Sequence, residues 1–136
     1  MAEISQTAAS LRLFGDDLDP DEVTQLLAAA PTQWGRKGDI RAGPTQHYVE
    51  KTGRWHFSAP DAQPGDLEGQ IVRILASLTP DTAVWTGLSK RFSIDMYCGL
   101  FMRETNEGLE LSPETLHAMG QRGISLILDI YDPVSD

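Results

Sequence analysis

The alternation of apolar and polar positions opens at residues 10–15. There Leu11 and Leu13 share one face and Arg12 and Phe14 the other, which predicts a β-strand. Residues 1–8, before it, read as a flexible lead-in. Asp19 is placed to cap a helix, Pro20 to start it and Glu22 to act as the capping-box partner; Val23, Leu26, Leu27 and Ala30 then recur at helical spacing up to Pro31. Residues 31–44 are rich in Gly and Pro and read as a loop. Two short strands are expected at 46–50 and 54–58, joined as a hairpin through Lys51-Thr52-Gly53.

Asp66 caps a predicted helix whose stripe is Leu67, Ile71, Ile74, Leu75 and Leu78; Pro80 interrupts, and Asp81 starts a shorter helix reaching Leu88. Phe92, Ile94, Met96 and Cys98 then alternate with Ser93, Asp95 and Tyr97, the clearest strand signal in the chain. Thr105-Asn106-Glu107-Gly108 reads as the turn of a hairpin between 100–103 and 109–111. Ser112-Pro113-Glu114 opens a helix carrying Leu116 and Met119 inward and closing at Gly120 or Gly123, and residues 124–131 are apolar enough on both faces for a central strand.

The order β-α-β-β-α-(α)-β-β-α-β predicts an α+β two-layer sandwich, a largely antiparallel sheet with helices on one face. Its 136 residues suit a single domain spanning 1–136. No apolar run approaches the roughly 20 residues that cross a bilayer, so no membrane association is expected. The first residues lack the basic start and apolar core of a secretory signal, and the lone Cys98 cannot form an internal disulfide, so a cytoplasmic location is expected.

Charge sharpens the picture. The net charge is −9, which disfavours nucleic acid as a partner. Within 31–60, however, Arg36, Lys37, Arg41, Lys51 and Arg54 stand against only Asp39 and Glu50, leaving +3 there and −12 on the rest. The same window holds Trp34, Trp55, His47 and His56. Guanidinium groups interleaved with rings suit an anionic ligand, so Trp34, Arg36, Lys37, Arg54, Trp55 and His56 form the candidate binding site. The plainer alternative is a hairpin with aromatics in the core and solvated charges.

Other chemistry is less well supported by spacing. Gly35-Arg36-Lys37-Gly38-Asp39 lacks the glycine pattern and following helix of a phosphate loop. Cys98 alternates onto the face of Ile94 and Met96, which predicts a core thiol rather than a nucleophile. His47, His56 and His117 do not have metal-ligand spacing, although His47 and His56 would face each other across the expected hairpin; no metal or cofactor is expected. Asp95 and Asp129 each interrupt an apolar strand. They suggest either an acidic pair for general acid–base work or carboxylates neutralised by Arg12, Arg54 or Arg91.

Gly15-Asp16-Asp17-Leu18-Asp19-Pro20 before a helix, Pro31-Thr32, Lys37-Gly38-Asp39 and Gly53-Arg54-Trp55 resemble an uncharacterised bacterial family, the domain of unknown function 4279. Leu109-Glu110-Leu111-Ser112-Pro113 and Leu128-Asp129-Ile130-Tyr131 are similar to the same pattern, so the likeness runs over residues 11–131. The resemblance implies a small stand-alone bacterial cytoplasmic protein, and it brings no activity, cofactor or catalytic residue. The function these observations favour is a non-enzymatic binding or interaction module for a protein or a small anionic ligand. The alternatives are an immunity-type protein masking the basic surface of a toxin and a small hydrolase or isomerase using Asp95 and Asp129. An edge strand of so small a sheet could also pair with its copy in a homodimer.

Overall fold

The computed structural model describes residues 4–133 and is an α+β fold. A five-stranded sheet has the order β2-β5-β1-β6-β7: β2 Gln33–Gly35, β5 Gly53–Ser58, β1 Gln6–Gly15, β6 Ser93–Phe101 and β7 Ser125–Tyr131. Every neighbouring pair is antiparallel except β6 and β7, which run parallel. A separate two-stranded sheet joins β3 Ile40–Ala42 to β4 His47–Val49. Helices α1 Pro20–Leu27, α2 Leu67–Ala76, α3 Thr82–Arg91 and α4 Pro113–Gln121 lie on one face of the larger sheet.

Alternation explains that face. Thr7, Ala9, Leu11 and Leu13 of β1 are buried against the helices, while Gln6, Ala8, Ser10, Arg12 and Phe14 point the other way. Ile94, Met96, Cys98 and Leu100 of β6 continue the buried layer, and Trp55 adds β5 to it. Ile71 and Ile74 of α2, Val23 and Leu27 of α1, and Trp85 and Leu88 of α3 close the core from above.

The helix starts form as their sequences predict. Asp19, Asp66, Asp81 and Ser112 each accept a backbone N–H from the first turn of their helices. The Glu22 carboxylate, expected to close a capping box, instead forks onto Arg91 and ties α1 to α3. Helix α1 ends at Leu27, ahead of the expected Ala30, because Ala28 turns into the left-handed region at φ 61°.

Several expected strands pair differently. β1 begins at Gln6 with Thr7 buried, so the part of the expected lead-in from residue 6 onward is sheet; residues 1–3 lie outside the described residues. The 31–44 segment, expected as loop, contributes β2 and β3. The 46–50 and 54–58 segments do not form a hairpin. Both edges of β5 are taken by β1 and β2, so β4 pairs with β3, and His47 and His56 sit in different sheets. The expected 100–111 hairpin is also absent: β1 and β7 occupy both edges of β6. Residues 109–111 cover the core as irregular chain, with Leu109 and Leu111 partly buried. Finally, β7 is an edge strand, not a central one. No helix among the described residues is long and apolar enough to cross a membrane.

Candidate functional site

The helices leave one face of the five-stranded sheet uncovered. An antiparallel sheet normally presents plain polar residues on such a face. Here it carries a layered set of charged, aromatic and small residues, placed by register.

The first row is His56, Arg12 and Asp95, side by side on β5, β1 and β6. Asp95 is only 6 % exposed, and Arg12 holds it with two bonds, Nε to Oδ1 at 2.8 Å and Nη2 to Oδ2 at 3.0 Å. That bidentate geometry is the strong form of an ion pair. The Arg12 guanidinium also lies 4.3 Å from the Tyr97 ring centroid and 5.0 Å from that of Phe14. His56 stands edge-on to Phe14 with ring centroids 5.4 Å apart. Burial, then the neighbouring charges of Arg54 and Arg12, push its pKa down to about 4, so it is neutral through the ordinary pH range. Its Nε2 is buried with no hydrogen-bond partner among the described residues.

The second row is Ser58, Ser10 and Tyr97. Ser58 Oγ donates to Ser10 Oγ at 2.9 Å. The third row is Ala8, Gly99 and Asp129. One oxygen of Asp129, Oδ2, accepts a short hydrogen bond from the Tyr97 hydroxyl and a second from Tyr131 at 2.8 Å. Those bonds hold the Asp129 carboxyl below its ordinary pKa, and the bond to Asp129 pushes Tyr97 up to about 12. The protons therefore stay on the phenols and the charge on the carboxylate. In the fourth row Phe101 and Tyr131 stack in parallel, centroids 4.7 Å apart at 4°.

Residues of the second, third and fourth rows line an open slot of about 190 Å³. Its floor is made of small residues, Ala8, Ser10, Ser58 and Gly99. Tyr97, Phe101 and Tyr131 form one wall, and Asp61, from the loop after β5, stands at the other side. Asp129 fixes the wall because it ties two of its three rings to one oxygen.

The six residues expected to form a binding site in 31–60 are spread over the molecule. Arg54 and His56 reach the uncovered face, but Trp55 points to the helix side. It is fully buried and donates its indole N–H to Thr24 Oγ1 at 3.0 Å, so it is a core residue and not a ligand contact. Trp34 lies opposite it on β2 and is 53 % exposed. Arg36 binds Asp19 and Asp21, and Lys37 binds Asp16 at 3.0 Å. Arg54 and Arg41 share Glu50. The local positive charge is thus largely matched by the chain's own carboxylates, several of them distant in sequence.

Asp95 and Asp129 do share a face. The register sets their backbone positions four residues apart, about 13 Å along the strands. One carboxylate is engaged by Arg12, as the alternative for buried strand aspartates anticipates, and the other by two phenols. Cys98 lies on the helix side, fully buried, with its thiol pushed up to about 12 chiefly by desolvation.

The slot residues Ala8, Ser10, Asp61, Tyr97, Gly99, Phe101 and Tyr131 were not singled out by sequence. A signal was present: the off-core positions of the two long strands carry Arg12, Phe14, Asp95 and Tyr97, which are unusual choices for a merely solvated face.

The fold and this face define an α+β two-layer protein with an exposed, aromatic-walled sheet surface. A family model described as a domain of unknown function, DUF4279, matches residues 5–133. The chain belongs to that family. No curated protein and no solved structure matches it.

Proposed function

We propose that the protein is a binding module whose ligand surface is the uncovered sheet face, centred on the slot between Tyr97 and Asp61. The observation that carries this reading is the locked aromatic wall over a floor of small residues. The small floor leaves space beside the rings, and the two phenol bonds to Asp129 fix ring positions that a solvated face does not require. The 31–60 window contributes Arg54 and His56 to this face. Its cations Arg36, Lys37 and Arg41 form ion pairs within the chain, so they offer less to an external anion.

A fragment screen followed by amide ¹H–¹⁵N shifts tests the reading. Bound fragments are expected to perturb Ala8, Ser10 and Gly99, and Ala8→Leu, which fills the floor, is expected to weaken them at least ten-fold. Perturbations centred on Trp34 and Arg36 would move the site to the 31–60 window and overturn the assignment.

A second reading rests on a separate observation. β7 is a free edge whose Leu126, Ile127, Leu128, Ile130 and Tyr131 are all exposed, with neither lysine nor proline to guard it. A second copy suits it. Antiparallel pairing with Leu128 opposite itself sets Leu126 against Ile130 and Ile127 against Asp129, so no carboxylate opposes another. Sedimentation velocity should then show a concentration-dependent dimer, and Leu128→Lys should abolish it by facing two ammonium groups. A monomer at every concentration would rule the pairing out.

A further inference from the structure

We propose that the slot receives the head of an organic cation, an alkylammonium or guanidinium group; this rests on the reading of the uncovered face as a ligand surface. Size is the first argument. Its volume of about 190 Å³ is below the roughly 300–1,000 Å³ of sites that enclose a whole cofactor, and it suits a head group of a few heavy atoms.

The second argument is the chemistry of the two sides. Three aromatic side chains form one wall, and the face of a ring attracts a cation electrostatically. The wall already displays this: the Arg12 guanidinium sits 4.3 Å from the Tyr97 ring centroid. Arg12 is not among the residues lining the slot, and its own charge is matched by Asp95. Across the slot stands Asp61, whose only side-chain hydrogen bond among the described residues is from Gln6 Nε2 at 3.2 Å. Among the described residues no Lys or Arg lines the slot, whose lining offers the Asp61 carboxylate, the three aromatic side chains and the hydroxyl groups of Ser10 and Ser58.

The floor fits the same use. A Cβ at Gly99 would come within 3.3 Å of Phe101 Cε2, so a larger residue there would make that ring shift by a few tenths of an ångström. The net charge of −9 adds long-range attraction for a cation and repulsion for an anion.

The chemistry is shared by free amines and by Lys or Arg side chains of another protein, and the test separates them. The full chain is titrated with n-butylammonium, n-butylguanidinium, 1-butanol and butyrate, and with capped Gly-Lys-Gly and Gly-Arg-Gly peptides, following the amides of Ala8, Ser10 and Gly99. Both small cations should saturate these shifts at least five-fold more tightly than butanol, with butyrate weakest. Asp61→Asn, an exposed change that should leave the fold intact, should weaken the cations about five-fold and leave butanol unchanged. Peptides binding as tightly as the free cations indicate a side-chain source, and peptides binding more weakly indicate a free amine; either supports the cation site. Butanol binding as tightly as the cations, or cation binding insensitive to Asp61→Asn, overturns the inference while leaving a ligand slot in place. Failure of every probe to shift these amides, together with no fragment bound there, overturns the ligand surface itself.

Discussion

Replacing Arg12 by methionine is expected to destabilise the protein by about 3 kcal/mol. The change strands the Asp95 carboxylate, 6 % exposed and facing away from the helices, without the fork that neutralises it. Removing one partner of a buried ion pair typically costs about 3–5 kcal/mol, because the remaining charge has lost both water and counter-charge. Arg12 retains 24 % side-chain exposure, so some solvent can reach the site, and the lower end of that range applies. Urea unfolding reads the effect as a fall in midpoint of about 1.5–2 M at an unchanged slope. The double variant Arg12→Met/Asp95→Leu should recover most of the loss, since it removes both charges from the face. A single variant within 0.5 kcal/mol of the parent would show that the pair contributes nothing to stability.

Trp55→Ala is expected to cost about 4 kcal/mol, the usual range for emptying a fully buried aromatic position. Trp55 lies between β5 and α1, and its N–H to Thr24 is lost as well. Its register partner Trp34 is half exposed, and Trp34→Ala should cost about 1 kcal/mol or less. The contrast discriminates between the two roles assigned by sequence and by fold. A ligand contact at position 55 would weaken binding and spare stability, whereas a core residue does the opposite. Paired thermal and urea melts of the two variants decide it, and equal losses would contradict the difference in burial.

Much of the architecture is local in origin. Leu11 and Leu13 against Arg12 and Phe14, and Ile94, Met96 and Cys98 against Asp95 and Tyr97, fix which side of each strand meets the helices. Side chains alternate from strand to face regardless of the partner strand. Asp19-Pro20, Asp66, Asp81 and Ser112-Pro113 fix where helices start, because a cap satisfies N–H groups within its own first turn. The placement of Cys98 in the core and the pairing of an interior aspartate with Arg12 follow from the same alternation and from the cost of an unpaired buried charge.

The site was less legible. Its floor and wall come from residues 8, 10, 58, 97, 99, 101 and 131, and nothing in any one segment marks them as neighbours. The basic window misled in a related way. Counting charge along 31–60 cannot include Asp16, Asp19 and Asp21, which the fold sets against Arg36 and Lys37.

The sequence by itself determined the class of fold, the helix starts and the core face of the long strands, since each depends on interactions spanning a few positions. Only the tertiary structure decided which strands are neighbours, that β7 is an edge, that 109–111 has no strand to join, and that a slot forms between Tyr97 and Asp61. Those outcomes depend on which sheet edges remain free once β1 has taken β5 and β6. That is a competition between segments far apart in the chain, and no local pattern of apolar and polar residues encodes it.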